Sequence, residues 1–199
     1  MQKLLNEWRQ YLTEAKQFRK ADTQKAIAKY KGRKITGTNL DLGGFLDNIA
    51  RVESGYNPKA ENGQYIGAFQ LGKSFYGSSP NVAFNPYKAA KIAANFFMNR
   101  SPRVFEQNSE MYKVAKEKYG AGVCHYILYN QGATGGRRLL YVAVGMENKI
   151  PKGYFEKTIL PNMKGQGIRI IEPFLDNAVI GNQVKADAFV RYFENKFNF

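Results

Sequence analysis

Glu53 is the residue of this chain whose position asks for chemistry. Leu46, Ile49 and Glu53 stand at i, i+3 and i+7, so a helix over this stretch carries the carboxyl group on its apolar face, in its last turn. Partial desolvation there favours the neutral acid, and the C-terminal end of a helix dipole acts the same way. A carboxylic acid still protonated near neutral pH can give a proton to a leaving oxygen, the general-acid half of glycoside cleavage. The same spacing fits a half-exposed surface glutamate on a helix that simply ends, and periodicity does not separate the two. The rest of the inventory narrows the chemistry. The chain has one cysteine, Cys124, and one histidine, His125. A disulfide framework, a thiolate zinc cluster, a Ser-His-Asp system and a multi-histidine metal site are therefore not expected. Both residues read as ordinary packing or surface positions, and carboxylate chemistry without metal or cofactor is what remains.

The elements that must position Glu53 read as helices. Leu42, Phe45, Leu46, Ile49 and Ala50 form one stripe, and Gly55 supplies a stop. "NPYKAAKIAANFFMNRSP" has Asn85 as cap, Pro86 at the first helical position and Ser101-Pro102 as terminator. Ser109 to Tyr119 reads as a surface helix closed by Gly120, and Gly122 to Gln131 as a short buried one. Thr134 to Val144 follows, with Gly145 as C-cap. Pro151 opens a further helix, and the last carries Ala186, Phe189, Val190, Phe193 and Phe197 on one face. Gln64 to Gln70 and Gly167 to Ile171 are the best strand candidates. The fold class expected is mainly α, with a small irregular or β element after the helix that carries Glu53.

With 199 residues, 13 Tyr and 14 Phe, the chain has ample material for a core. Nothing approaches the length of apolar run that spans a membrane. The formal net charge is +14, which points to a polyanionic partner. Met1 to Lys34 carries ten basic residues against Glu7, Glu14 and Asp22, so half the net charge lies on about a sixth of the chain. Leu4, Leu5, Trp8, Tyr11, Leu12, Ala15 and Phe18 make this segment an amphipathic helix, either docked on the body or facing a membrane surface or partner. Residues 1–38 are read as a basic amphipathic segment and 39–199 as the catalytic domain.

The stretch "ESGYNPKA", continued by "GAFQ", resembles the active-site motif of the lysozyme-like superfamily, in particular the lytic transglycosylases related to goose-type lysozyme. The matching positions are Glu53, Ser54, Tyr56, Pro58, Ala60, Gly67 and Gln70. "ILYNQGATG" resembles the family's "AYNAG" element, which brings in Tyr129 and Asn130, and "NPYKAAKIAANFF" resembles its Ala-rich helix. The run "QYIGAFQLGKSFY" is also similar to a lysozyme-like branch found in phage proteins and secretion effectors. The spacing is about one residue shorter than the family's, and Ala68-Phe69 stand where Leu-Met is usual. The resemblance covers roughly Leu40 to Leu140. It implies an α+β lysozyme-like fold and a peptidoglycan-degrading enzyme that cleaves between N-acetylmuramic acid and N-acetylglucosamine. Glu53 would be the catalytic acid and base, with Ser54, Gly67, Gln70, Tyr129 and Asn130 in substrate binding. Gly67 would let a sugar approach the backbone, the Gln70 and Asn130 amides suit N-acetyl and hydroxyl groups, and Tyr56, Tyr65, Tyr76 and Tyr129 could stack on sugar faces.

Two outcomes of cleavage stay open. Glu61 is the only acid within about fifty residues after Glu53, and a lone carboxyl suits the transglycosylase route, in which the muramyl C6 hydroxyl captures the cationic centre. Hydrolysis by water, as in a muramidase, requires a second carboxylate such as Glu61 to fold back. A basic, aromatic-rich helical protein can also bind glycan or nucleic acid without catalysis, although no zinc-finger, RRM or homeodomain signature is present. The partners expected are peptidoglycan strands and an anionic envelope, with delivery machinery or an immunity protein beside them. No cofactor, metal or nucleic acid is expected. The N-terminus lacks the apolar core of a secretory signal. Synthesis in a cytoplasm is therefore expected, with action in a periplasm or cell wall after phage-type release or secretion-system delivery.

Overall fold

The computed structural model describes residues 18–168 and 171–197. The amphipathic stripe from Leu4 to Ala15 and the strand candidate's residues 169 and 170 lie outside them. The described chain is mainly helical, with one two-stranded antiparallel sheet after the Glu53 helix. It divides into two compact units, residues 1–99 and 100–199.

In the first unit, α1 (Lys20–Ala28) packs on α2 (Leu42–Ser54) and on α5 (Pro86–Asn95). The α2 stripe is buried as its spacing demands: Leu42, Leu46, Ile49 and Ala50 are fully enclosed. Asp41 caps the helix, its Oδ1 accepting from Gly44 N at 2.7 Å, while its Oδ2 accepts from Gly32 N at 2.6 Å. The strands β1 (Glu61–Asn62) and β2 (Tyr65–Ile66) pair Glu61 with Ile66 and Asn62 with Tyr65. Two short helices, α3 (Lys73–Tyr76) and α4 (Asn81–Phe84), lead to α5. Asn85 caps α5 through its side chain, which accepts from Tyr87 N and Lys88 N, and Pro86 opens it.

The boundary read at residue 38 falls inside this unit. Thr23, Ala26, Ile27 and Ile35 are buried, and Lys34 bridges to Asp41. A Cβ on Gly43 would stand 2.7 Å from the Lys31 backbone nitrogen, so the connecting segment lies directly on α2. Residues 20–38 thus contribute Thr23, Ala26, Ile27 and Ile35 to the core of the first unit.

A π turn over Phe96–Arg100 extends α5. Ser101-Pro102, read as a terminator, instead opens α6 (Ser101–Glu106). Proline lacks only an N–H that a first helical turn leaves unbonded in any case. In the second unit α7 (Ser109–Asn130) carries a break at Gly120, with φ 81° and ψ 155°, where the sequence divides two helices. α8 (Gly132–Ala143) packs on α7 and on α11 (Asn182–Phe197). Between them lie a π turn (Phe155–Ile159) that runs into α9 (Leu160–Gly165), and α10 (Glu172–Asp176). Pro151 precedes these helices in a loop, and Ile171, read as strand, caps α10. Tyr126, Phe189, Phe193 and Phe197 form the aromatic heart of this unit.

Candidate functional site

Glu53 occupies the last turn of α2 and is half-buried, next to the enclosed Ile49 and Ala50. The helix ends there because Gly55 takes the left-handed conformation (φ 58°, ψ 40°). Gly55 N bonds Arg51 O at 3.0 Å and Tyr56 N bonds Ala50 O at 2.9 Å, so the last carbonyls of the helix are satisfied by the turn that follows. Tyr56 is itself left-handed, at φ 65°, a conformation costly for a non-glycine residue. Its phenol reaches back and donates to Asp47 Oδ2 at 3.0 Å. Burial, with that hydrogen bond behind it, pushes the phenol above its ordinary range. The turn after Glu53 is therefore held at both its backbone and its side chain.

Ser54 ties this turn to the next loop. Its Oγ donates to Ala68 O at 2.7 Å, with Ala50 O at 3.1 Å. The loop Ile66–Leu71 closes on itself through Ile66 and Leu71, which exchange both backbone hydrogen bonds. Gln70 takes a left-handed φ of 48°, and its Nε2 donates to Gly67 O at 3.0 Å, with Ala60 O at 3.5 Å. Gly67 sits at φ 79°, and a Cβ there would lie 2.0 Å from Ala83 O. The close approach that makes this position a glycine is thus to the protein's own α4 backbone, where the sequence suggested a sugar. Gln70's amide protons likewise brace the loop.

The tyrosines separate by exposure. Tyr65, on β2, is exposed. Tyr76 donates its hydroxyl to Gln64 O, which pins the hairpin tip to α3. Tyr56 is committed to Asp47. Glu61, the nearest acid after Glu53, begins β1 and is exposed. One residue that the sequence did not single out reaches the same turn: Lys20 Nζ lies 3.9 Å from where a Cβ on Gly55 would stand. Its signal was invisible, because thirty-three residues separate it from Glu53 and only the packing of α1 brings it there.

Tyr129 and Asn130 belong to the second unit, and Glu53, Ser54, Gly67 and Gln70 to the first. Tyr129 is buried. Asn130 Nδ2 donates to Tyr126 OH at 3.0 Å, and its Oδ1 accepts from Gln131 Nε2 at 2.5 Å. The Asn130 amide therefore locks the end of α7 to an enclosed tyrosine. His125 and Cys124 are buried in the same helix. His125 Nδ1 lies 2.5 Å from Ser101 Oγ, and burial pushes the imidazole down to about 3 and the thiol up to about 12. Neither is poised for proton transfer or nucleophilic attack near neutral pH.

The second unit also holds a concavity of about 460 Å³, lined by Glu147, Ile150, Pro151, Lys152 and Glu156 among others. Asn182 Nδ2 donates to both Glu147 Oε1, at 2.8 Å, and Glu156 Oε1, at 2.5 Å. That hydrogen bond, first among the causes, holds the Glu156 carboxyl below the usual range. A glycosidase's proton donor needs the opposite shift, so these two carboxylates are a poor acid–base pair. Among the described residues no cluster of three or more His, Cys, Asp and Glu side chains is arranged to hold a metal ion. In comparisons with protein-family models, curated proteins and solved structures, the chain matches none of them.

Proposed function

We propose that the chain is a peptidoglycan-cleaving enzyme of the lytic transglycosylase type, with Glu53 as its single acid and base. The observation that carries this reading is the half-buried carboxyl group in the last turn of α2, followed by a turn that Ser54 fastens to the Gly67–Gln70 loop. A helix C-terminus disfavours negative charge, which suits a group that must hold and then return a proton. The rigid turn fixes its direction, and a misplacement of an ångström is costly in catalysis. In the proposed reaction Glu53 protonates the oxygen between muramyl and glucosaminyl sugars, and the N-acetyl group stabilises the cationic centre. Glu53 then takes the proton of the muramyl C6 hydroxyl as that oxygen closes on C1. Tyr65 is the exposed aromatic beside this loop and the one suited to stack on a sugar face. The exposed position of Glu61 on β1 supports capture by the internal hydroxyl over capture by water.

Digestion of purified peptidoglycan, with product masses, tests the proposal. Anhydromuramyl ends, one water lighter than hydrolysis products and unlabelled in heavy-oxygen water, are expected. Glu53→Gln, in protein shown to be folded by circular dichroism, should lower the rate by at least about 100-fold. Labelled reducing ends would make the enzyme a muramidase, and a folded Glu53→Gln protein with wild-type activity would remove Glu53 from the mechanism.

A further inference from the structure

The strongest unassigned feature outside the Glu53 loop is a lysine cluster built from two helices of the first unit. Lys25 and Lys29 follow one another at i and i+4 along α1 and its C-cap, about 6 Å apart along the axis. Lys88 and Lys91 stand at i and i+3 on α5. The two pairs meet at Tyr87, whose ring carries the Lys29 ammonium 4.7 Å from its centroid and lies one helical turn before Lys91. All four lysines are exposed, on helices whose opposite faces bury Ala26, Ile27, Ala89 and Ala93. Asp22, the acid of α1, accepts from Arg19 N at 2.8 Å at the helix start. The ion pairs between described residues, Lys118, Lys164 and Arg191 with their carboxylates, all lie in the second unit. The charge of this surface is therefore not cancelled by an ion pair with any described carboxylate.

We infer that α1 and α5 together form a binding surface for a linear phosphodiester polymer without bases, of the poly(glycerol phosphate) kind. The chemistry of the patch selects this partner. The four cations of the patch on α1 and α5 are lysines, which meet phosphate as point charges without the forked geometry that reads base edges, and Arg19 and Arg33 stand at the margins of the patch. Its aromatic rings are already occupied: Tyr87 by Lys29 and, edge-on, by Phe18 at 6.3 Å, and Tyr30 by Arg33 at 5.7 Å. Single-stranded nucleic acid needs such rings free for stacking. The large hydrophobic residues exposed among the described residues are Tyr65, Val179 and Val184. None belongs to α1 or α5, so the patch has no apolar wedge for insertion into a bilayer. A flexible phosphodiester chain asks only for spaced cations on a rigid base. The inference stands without the cleavage reaction at Glu53, since it concerns adsorption alone.

The test uses the full chain and two charge-matched double variants, Lys29→Gln/Lys91→Gln in the patch and Lys149→Gln/Lys152→Gln in the second unit. Binding to poly(glycerol phosphate), to single-stranded DNA of equal charge and to phosphatidylglycerol vesicles is measured over a range of salt. The patch variant should bind the polymer on the order of ten-fold more weakly, with a salt slope reduced by about one to two, as counterion release by two lost contacts requires. The control variant should change binding by less than about two-fold. Since Lys29 touches Tyr87, Lys25→Gln/Lys88→Gln is the companion variant that leaves that contact whole, and it should show the same loss at an unchanged melting temperature. Equal weakening by the control would reduce the effect to net charge and overturn the assignment. Tighter binding to DNA would overturn it in favour of nucleic acid, and binding to vesicles but not polymer in favour of a membrane.

Discussion

The two units use their carboxylates differently. In residues 100–199 a carboxylate is set among cations: Asp187 takes Lys118 Nζ and Tyr119 OH on one oxygen, both at 2.7 Å, and Arg191 Nε on the other at 3.1 Å. In residues 18–99 three of the five acids serve the fold's own donors, Asp22 and Asp41 on backbone amides and Asp47 on a phenol. The lysines of α1 and α5 are left facing outward. A carboxylate that neutralises a cation closes a surface, whereas a carboxylate that caps a helix leaves the neighbouring cations available to a partner. Both units keep an excess of basic residues, and what distinguishes them is that the ion pairs between described residues fall in the second.

The loop behind Glu53 gives the sharpest way to break this contrast, because its rigidity rests on backbone contact rather than charge. Gly67→Ala places a Cβ against Ala83 O at a backbone angle that L-residues avoid. The expected loss is about 3 kcal/mol in chemical denaturation, with peptidoglycan cleavage falling alongside. Wild-type stability would mean that the Ala83 carbonyl yields easily and that the loop is not rigid. Asp187→Ala is the counterpart in the second unit. It takes the carboxylate away from Lys118 and from the buried Tyr119 hydroxyl, both of which keep the carbonyl of Ala143 at 3.1 Å. About 2 kcal/mol should be lost. Because two of the three partners are cations, the loss should shrink in high salt.

Much of this architecture could be read from residue order, and the exceptions share a cause. The α2 stripe with Gly55, the Asn85-Pro86 start, the break at Gly120 and the last helix are local signals, in which the residues that set the element lie within it. The α1 sequence KADTQKAIA offers only Thr23, Ala26 and Ile27 to a core, and it becomes a helix through packing on α2 and α5. Ser-Pro reads as a stop by the same chemistry that lets it start a helix, and only the π turn before it decides. At the candidate site, Glu53 and Ser54 stand where the stripe and the glycine put them. The surroundings of Gly67, Gln70 and Asn130 are not legible in this way, because a short polar side chain gives no sign in sequence of whether it will face a ligand or a carbonyl of its own chain. The amides of Gln70 and Asn130 already have protein partners.

Ser54 tests whether the two loops of the first unit act as one. Ala68 is fully enclosed, so Ser54→Ala leaves its carbonyl without the 2.7 Å hydroxyl. About 1 to 2 kcal/mol of stability should be lost. If the loop also directs Glu53, the cleavage rate should fall by more than the change in folded fraction explains, and Ser54→Thr should restore part of it. A variant that loses stability but keeps its specific rate would reduce Ser54 to a fastening with no part in catalysis.

The smallest effect separates the two kinds of acid most cleanly. Asp41 is half-buried, and its carboxyl is held below the usual range, chiefly by the Gly44 amide and also by the Gly32 amide and the charges of Lys34 and Lys31. Asp41→Asn keeps an oxygen for Gly44 and turns an NH₂ toward Gly32, at a cost of about 1 kcal/mol at neutral pH. A carboxyl whose folded pKa is depressed stabilises the fold above its unfolded value, near about 4, and loses that contribution as pH falls through the folded value. The difference between wild type and Asp41→Asn should therefore be constant from pH 7 down to about 5 and fade below about 4. Because amides rather than ions provide the main hold, added salt should leave most of it intact, in contrast to Asp187→Ala. Urea denaturation of both variants, at two pH values and two salt concentrations, measures this. If salt erased the Asp41 effect as fully as that of Asp187, Lys31 and Lys34 would be its true partners, and the first unit would be paired internally like the second.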